Sequence, residues 1–321
     1  MKYYFAPLEG ITDLCYRTVH HKYFPGVDRY YMPFISPTQN HCLTRKEQRE
    51  LPTCDSLPCA TIPQILTKST EDFLWAAQCC NDRGYSEVNL NMGCPSGTVF
   101  TKGKGSGMLA NLESLTIFLD EIFEKSPLKI SVKTRVGVED PEEFPALLDI
   151  LNRYPITELI IHPRVRKTFY KGKIEMYAFR YAVANSKHSL CYNGDITSLD
   201  DIDFIQNMFP AVPAVMIGRG LISDPGLLTG TQDRNRIIAF HEELFDEYCR
   251  IFGNKQNAMC RMKEIWSMLI RIFGDSHQQE KKLKRTGDYE TFRAIATEVL
   301  TKLPMTPTAS SLTEGLEPKS W

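Results

Sequence analysis

Long apolar runs are missing from this chain. No stretch approaches the roughly 20 consecutive apolar residues that span a bilayer. The first residues, from Met1 to Pro7, also lack the long apolar segment of a signal peptide. We therefore expect a cytoplasmic protein that does not contact membranes.

A net charge of either sign is missing as well. The 321 residues include 38 Lys and Arg against 39 Asp and Glu, which leaves a formal net charge of -1. The overall charge therefore gives no indication of a nucleic-acid partner, and only local basic clusters could supply a surface for one. With 42% hydrophobic and 24% charged residues, the composition is that of a globular protein and excludes disordered, collagen-like and coiled-coil classes.

Paired cysteine modules are missing although the chain has 10 cysteines. The cysteines are spaced irregularly, without C-x-x-C pairs, which excludes a small secreted disulfide framework. The spacing gives no reason to expect a metal site. Reduced thiols in a cytosol are the simplest interpretation.

Short β-branched and aromatic runs alternate with longer amphipathic segments up to about residue 230. This alternation predicts parallel strands joined by helices. Eight such units fit a TIM (β/α)8 barrel, although periodicity alone leaves a doubly wound open sheet possible. Unusual residues follow most of the runs, and barrels place active sites at the carboxyl ends of their strands, which favours the barrel. The runs are 3–6, 29–32, 60–64, 88–91, 130–134, 159–162, 190–192 and 215–217.

The strand pattern stops near residue 233. Segments with helical spacing then follow at 235–252, 257–273 and 288–302. A stripe containing Met262 and Trp266 on the second segment is typical of a helix core rather than of a ligand site. We therefore predict a catalytic barrel over 1–233, a small helical domain over 234–303, and a flexible or loosely docked tail over 304–321.

Two glycine-containing segments follow the seventh and eighth runs. They are Asn193-Gly194-Asp195 and Gly218-Arg219-Gly220. Barrels commonly bind a phosphate group on these two loops, because glycine lets backbone N–H groups approach the anion. The first run is not followed by the Gly-x-Gly-x-x-Gly fingerprint of a dinucleotide site. A mononucleotide such as FMN therefore fits better than NAD in a Rossmann site.

Three hydrogen-bonding side chains end the third, fifth and sixth runs. Gln64, Lys133 and His162 would all face the barrel mouth. A flavin ring needs hydrogen-bond donors and a cation along one polar edge. The residues alone leave an alternative open, in which Lys133 pairs with a carboxylate on the barrel rim and His162 is structural.

Cys94 lies at the end of the fourth run, within Asn89-Leu90-Asn91-Met92-Gly93-Cys94-Pro95-Ser96. Gly93 and Pro95 place the thiol on a rigid turn at the predicted catalytic face. A thiol there could deliver a proton to a substrate carbon whose neighbour receives a hydride from reduced flavin. A lone cysteine is otherwise most often a small buried apolar residue.

Six segments, in order along the chain, resemble the motifs of the tRNA-dihydrouridine synthase family. They are 6–13 with Arg17, 91–95, 133–137, 162–164, 193–195 and 218–220. The resemblance covers essentially the whole barrel. It implies an FMN-binding barrel with a helical domain that helps to grip tRNA. It also implies an enzyme that uses NADPH to reduce the C5–C6 double bond of uridine.

The resemblance also implies roles for individual residues. Cys94 would donate a proton to uridine C5 while the hydride of flavin N5 goes to C6. The residues implied to bind the cofactor are Pro7, Leu8, Glu9, Gln64, Lys133, His162, Asn193, Gly194, Asp195, Gly218 and Arg219. Those implied to bind substrate are Asn91, Arg135 and Arg164. The chain departs from the family pattern at Leu8, where Met is usual, and at Val165, where Thr is usual.

Two predicted loops on the catalytic face contain basic residues and no acidic ones. The first contains Arg164, Arg166, Lys167, Lys171 and Lys173, and the second contains Lys102 and Lys104. Such loops could contact phosphates, and the neighbouring Phe169 and Tyr170 could stack on a base. A solvated basic rim is the alternative. The predicted helical domain has a further basic run, Lys281, Lys282, Lys284 and Arg285.

Other functions stay open at this point. The same flavin chemistry could act on ribosomal RNA, on a small-molecule alkene or on a free pyrimidine, although the acid-free loops count against a small substrate. An RNA- or nucleotide-binding barrel whose redox site has decayed is disfavoured by the presence of Cys94, Lys133 and His162. We expect the protein to be a monomer.

Overall fold

The computed structural model describes residues 1–306 and 308–312. Within these residues, nine strands form one sheet in which every pair of neighbouring strands with a recorded register is parallel. The strands are β1 (Lys2–Phe5), β2 (Arg29–Tyr31), β3 (Thr61–Ile62), β4 (Gln64–Ile65), β5 (Glu87–Met92), β6 (Lys129–Arg135), β7 (Leu159–His162), β8 (Leu190–Asn193) and β9 (Ala214–Ile217).

The sheet closes on itself at Pro63. Its order is β3-β2-β1-β9-β8-β7-β6-β5-β4, so the two end strands are consecutive in the chain and separated only by this proline. Residues 61–62 pair with β2, whereas residues 64–65 pair with β5. Because proline has no N–H to donate, a single strand is divided here into two short ones. The sheet is thus an eight-stranded barrel, and the predicted fold class is confirmed.

The barrel strands are buried on both faces, as expected for a parallel sheet covered by helices. Every residue of β7, β8 and β9 is buried. On the outside, Phe73 and Phe118 bring two helices together with their ring centroids 6.0 Å apart. The helices are α1 (Leu14–Tyr23), α2 (Arg45–Glu50), α3 (Thr70–Asn81), α4 (Gly97–Phe100), α5 (Leu112–Lys125), α6 (Phe144–Leu151), α7 (Met176–Asn185), α8 (Leu199–Met208), α9 (Arg219–Ser223), α10 (Arg234–Phe252), α11 (Lys255–Leu269), α12 (His277–Arg285) and α13 (Tyr289–Lys302). In the part of the chain described, no helix combines the length and the apolar character needed to cross a membrane.

The chain divides into two compact units. The first consists of residues 1–7, 28–194 and 205–216 and contains the barrel strands. The second consists of residues 8–27 and 195–204 together with the chain from residue 217 onward. The N-terminal helix α1 is therefore grouped with the C-terminal helices, a grouping that the order of elements along the chain does not reveal.

Aromatic packing explains why α1 belongs to the second unit. The ring of Phe240 on α10 meets those of Tyr16, His20 and Phe24 at centroid distances of 5.7, 6.3 and 5.3 Å. Asp13 accepts a hydrogen bond from the Tyr16 backbone N–H and thereby caps α1. The Asp13 cap thus fixes the start of α1, and the aromatic contacts with Phe240 anchor the helix to α10.

Three of the C-terminal helices agree with the predicted segments, and α12 is an addition. The predicted stripe is core, since Met262, Ile265, Trp266 and Leu269 are at most 2% exposed. Helix α12 contains a single buried apolar residue, Leu283, and therefore has no hydrophobic periodicity from which it could be predicted.

The start of the predicted tail is docked by hydrogen bonds. The Thr306 N–H donates to the Ile272 carbonyl at 2.8 Å. The Asp201 carboxylate accepts from the Ser310 hydroxyl and from the Ser311 and Leu312 N–H groups at 2.6–3.0 Å. Position 307 and positions 313–321 of the predicted tail lie outside the described residues.

Candidate active site

Cys94 lies on a turn that the side chain of Asn91 organises. The Asn91 Oδ1 atom accepts hydrogen bonds from the backbone N–H groups of Gly93 at 3.1 Å and Cys94 at 2.9 Å. Asn91 is the penultimate residue of β5, so the turn begins where the strand ends. The half-buried thiol is thereby fixed at the carboxyl end of a barrel strand, the end at which barrels place their catalytic groups.

A second group of contacts holds Cys94 from the loop that follows it. The Ser106 hydroxyl and N–H both donate to the Cys94 carbonyl, at 2.7 and 3.2 Å. Gly105 has φ +58°, and a Cβ atom there would lie 3.0 Å from the Cys94 Cβ. Glycine is therefore favoured by both the backbone conformation and the close approach. The loop returns onto the cysteine and leaves it little freedom to move.

Buried amide groups extend from the Cys94 turn into the barrel. Asn91 Nδ2 donates to Gln64 Oε1 at 2.7 Å, and Gln64 Nε2 donates to Asn89 Oδ1 at 2.7 Å. Asn89 Nδ2 in turn donates to the Ser131 hydroxyl at 3.0 Å. These groups are at most 7% exposed. Since buried polar groups are costly unless they are paired, the chain of bonds orients every member, including the Asn91 oxygen that caps the turn.

Arg135 joins the Cys94 turn to the loop after β7. Its Nε atom donates to the Gly93 carbonyl at 2.9 Å, and Nη1 donates to the Val165 carbonyl at 3.1 Å. The guanidinium carbon lies 5.3 Å from the centre of the Tyr170 ring. Arg135 is 1% exposed, and burial lowers its pKa to about 10. In this structure its donors hold two backbone carbonyls, which connects two loops of the barrel mouth.

Lys133 provides a partly buried cation next to these groups. It is in register with Asn91 on the neighbouring strand. Burial, followed by the nearby positive charge of Arg135, lowers the pKa of Lys133 to about 8. Among the described residues, no carboxylate contributes to this shift, so the predicted alternative of an ion pair on the barrel rim is not what the structure shows. A partly buried cation without a counter-charge suits an electron-rich ligand.

His162 and Arg164 are paired on the neighbouring strand end. Arg164 Nη1 lies 3.3 Å from His162 Nε2, and its other guanidinium nitrogens donate to the Gly172 carbonyl. Because arginine has only donors, His162 accepts at Nε2 and holds its ring proton on Nδ1. Both residues are buried, at 6% and 3% exposure. Arg164 therefore closes the loop 164–172 while it orients the histidine.

The predicted phosphate residues fall in both compact units. In the first unit, Asn193 Nδ2 donates to the Met216 carbonyl at 2.7 Å, and a Cβ atom on Gly194 would lie 3.4 Å from His162 Cδ2. In the second unit, Arg219 forms an ion pair with Asp195 at 2.7 Å. A Cβ atom on Gly220 would lie 2.2 Å from the Ile196 carbonyl oxygen, so only glycine fits there.

The first unit thus brings together eight of the predicted site residues. They are Gln64, Asn91, Cys94, Lys133, Arg135 and, through Gly194, His162 with its partner Arg164. Leu8 and Glu9 belong instead to a turn of the second unit, in which the Thr12 N–H donates to the Leu8 carbonyl. Sequence reasoning missed Ser106 and Asn89. Asn89 and Asn91 are two residues apart and therefore lie on the same face of the strand, which could have indicated the buried amides. Nothing in the local sequence identified Ser106 as a site residue.

Comparison with known proteins agrees with this geometry. The sequence model of the family described as dihydrouridine synthase (Dus) matches residues 4–303. The chain is 30% identical over 273 residues to a probable tRNA-dihydrouridine synthase of Helicobacter pylori, covering 80% of each chain. It is 26% identical over 225 residues to tRNA-dihydrouridine synthase B of Pasteurella multocida, covering 70% of this chain and 67% of that one.

Solved structures show the same fold at much lower identity. A structure of morphinone reductase in complex with tetrahydroNAD aligns with a TM-score of 0.50 and 12% identity, covering 72% of this chain and 88% of that one. At this identity the likeness supports the fold alone. The match of one family's sequence model to nearly the whole chain is the stronger finding. On that basis, the chain belongs to the dihydrouridine synthase family.

Proposed function

We propose that this protein is an FMN-dependent dihydrouridine synthase that reduces the C5–C6 double bond of uridine in tRNA with NADPH. The observation that carries the proposal is the combination of a fixed thiol, Cys94, with a partly buried cation, Lys133, at the carboxyl ends of neighbouring barrel strands. The names of the relatives support tRNA as the substrate.

The polar residues of the first unit fit the ring of a flavin. Lys133 is a partly buried cation, His162 carries a ring N–H at Nδ1, and Gln64 Nε2 uses one of its two hydrogens on Asn89. These are the donors that the polar edge of a flavin needs. Bound FMN would accept electrons from NADPH and supply the hydride for uridine C6.

Cys94 would supply the other hydrogen. In the proposed reaction the thiol S–H bond breaks, its proton forms a new C–H bond at C5, and the thiolate is protonated again from solvent. Uridine is reduced by two electrons and NADPH is oxidised by two, so the reaction balances with one proton taken up. The contacts of Asn91 and Ser106 keep the thiol in one place for this transfer.

The remaining assignments stay predictions. Pro7, Leu8, Glu9, Asn193, Gly194, Asp195, Gly218 and Arg219 are proposed as further cofactor residues. Asn91, Arg135 and Arg164 were expected to bind substrate, and their side chains already hold backbone groups or a neighbouring side chain in this structure. Cytoplasmic location and a monomeric state also remain part of the proposal.

Flavin content and dihydrouridine mapping test the proposed function. We expect the purified protein to show visible flavin absorbance or to take up FMN. We also expect tRNA from cells without the gene to lack one or more dihydrouridines that purified protein, FMN and NADPH restore. Protein unable to bind FMN would contradict the cofactor. If dihydrouridine were lost from ribosomal RNA alone, ribosomal RNA would be the substrate instead of tRNA.

The affinity for FMN is expected to fall as pH rises above 8. Lys133 is protonated below its pKa of about 8, and an electron-rich ligand would stabilise that protonated form. Above pH 8, binding must therefore take up a proton, and the Kd should rise about tenfold by pH 9. Titration of apoprotein with FMN at several pH values measures this change.

Lys133→Met provides the control for that titration. The variant should bind FMN more weakly than wild type at pH 7. Its Kd should not rise further between pH 7 and 9. The stability of the apoprotein gives an independent measurement. Since the pKa of Lys133 in the folded state lies below the ordinary value of 10.5, the contribution of Lys133 to stability should increase as pH rises from about 8 to 10.5. A pH dependence identical in wild type and variant would contradict the assignment.

A further inference from the structure

Phe169 occupies a turn position that favours glycine. The Lys171 N–H donates to the Thr168 carbonyl at 2.9 Å, and Phe169 has φ +51° and ψ −108°. These angles are those of the first central residue of a type II′ turn, where glycine dominates because it has no Cβ. A phenylalanine at this position therefore places strain on the backbone.

Burial does not explain this residue. The Phe169 side chain is 41% exposed, and the adjacent Tyr170 is 51% exposed. A large apolar side chain that is both strained and exposed gains little stability from its position. Strained backbone of this kind clusters at functional sites, so an exposed aromatic ring held there points to a ligand.

The exposed ring is backed by a layered stack. The guanidinium carbon of Arg166 lies 4.0 Å from the centre of the Phe100 ring and 5.2 Å from that of Phe169. Phe100 belongs to α4, in the loop that continues from Cys94. A cation that contacts two aromatic rings stabilises their arrangement. The stack therefore presents a positioned aromatic surface beside the loop that fixes the thiol.

The charges around this stack suit a polyanion. Arg166 and Lys167 precede Phe169, and Lys171 and Lys173 follow it on exposed loop positions. One nearby acidic group is Glu139, which lies 3.7 Å from Lys167. Basic residues that surround an exposed aromatic ring are typical of single-stranded nucleic-acid sites, in which the backbone meets cations and a base stacks on the ring.

We propose that Phe169 is a stacking platform for an unpaired base next to the target uridine in RNA. The proposal rests on the proposed function, since it assigns the ring to that same substrate. A uridine that leaves its stack to reach the barrel mouth leaves a neighbouring base without one stacking partner. The Phe169 ring replaces that partner and thereby contributes to the choice of target nucleotide.

Phe169→Gly separates this role from a structural one. Glycine removes the ring and relieves the turn, so the melting temperature should equal or exceed that of wild type. The KM for tRNA taken from cells without the gene should rise about tenfold, equivalent to about 1.4 kcal/mol, while kcat changes little. Phe169→Trp should restore tight binding. Ile117→Ala, which shortens an apolar side chain that is 57% exposed elsewhere on the barrel unit, should change neither KM nor stability.

An RNA with an abasic nucleotide beside the target uridine completes the test. Wild type and Phe169→Gly should have the same KM for this RNA, because no base remains to stack. Equal KM values of wild type and Phe169→Gly on intact RNA would overturn the proposal. The ring would then be a contact surface for a protein partner. A lower melting temperature together with weaker binding of both RNAs would also overturn it, since the ring would then be structural. Absence of dihydrouridine formation by wild type would instead contradict the proposed function.

Discussion

Replacement of Cys94 with alanine is expected to slow the reduction of uridine in RNA by about two to four orders of magnitude, the usual contribution of a positioned acid. The thiol is the group that would protonate C5, and Asn91, Ser106 and Arg135 together fix the turn that carries it. Alanine retains the Cβ atom and the backbone contacts. The loss should therefore fall on chemistry rather than on folding.

The measurement compares two half-reactions of the same protein. NADPH-driven reduction of bound flavin should proceed at the wild-type rate in Cys94→Ala, whereas dihydrouridine formation in tRNA should nearly stop. Cys42→Ala serves as the matched control, because Cys42 is exposed and lies in the same compact unit. Undiminished dihydrouridine formation in Cys94→Ala would refute the role of the thiol as the proton donor. Equal loss of both half-reactions would indicate a damaged flavin site.

Asn91→Ala is expected to reduce both stability and activity. The substitution leaves two backbone N–H groups, those of Gly93 and Cys94, without their acceptor, and it leaves Gln64 Oε1 without its donor. Each buried unpaired group costs about 1–3 kcal/mol, so the free energy of unfolding should fall by about 2–4 kcal/mol after partial relaxation. A misplaced thiol should also lower kcat.

Two further variants show whether Asn91 acts on Cys94 or only on the fold. Asn91→Asp retains the Oδ1 acceptor of the turn but loses the donor to Gln64, so it should preserve the environment of Cys94 better than alanine does. Asn81→Ala removes an exposed amide and should change stability by less than about 0.5 kcal/mol. The rate of Cys94 alkylation reports the position of the thiol directly. An alkylation rate that matches wild type in Asn91→Ala would contradict a positioning role.

Most barrel strands could be predicted because their signal is local. The run 159–162 has the bounds of β7, and the other runs differ from the structure by one residue at one or both ends when β3 and β4 are taken as one strand. β-Branched and aromatic runs between turn residues indicate buried strands wherever they occur. The division of one strand at Pro63 was not predicted, because it depends on which neighbours lie on each side of that strand.

Helices without an apolar face could not be predicted in the same way. Helix α12 contains one buried apolar residue, Leu283, and its remaining residues are polar or charged. The grouping of α1 with α10 was also not visible, since the contact between Phe240 and Tyr16 joins residues far apart in the chain. Both features depend on what surrounds a segment rather than on the segment itself.

The hydrogen-bond partners of the polar site residues could not be predicted from the sequence either. Sequence motifs placed Arg135 and Arg164 on the substrate side, as charged groups at strand ends. In the structure they are 1% and 3% exposed, and their guanidinium groups donate to backbone carbonyls. Their direct contact with substrate stays a prediction. A side chain's position on a strand is local information, but its hydrogen-bond partner is not.

The sequence by itself determined the order of strands and helices, the position of Cys94 on a turn at a strand end, and the basic loop around Phe169, because each follows from residues that are neighbours in the chain. Only the tertiary structure decided what those residues do to one another. Asn91 meets Gln64 across 27 residues, and Arg135 meets Gly93 across 42. Hydrogen bonds between residues so far apart in the chain form only when the barrel closes. Bringing these residues together costs chain entropy, and burial of the whole core offsets that cost.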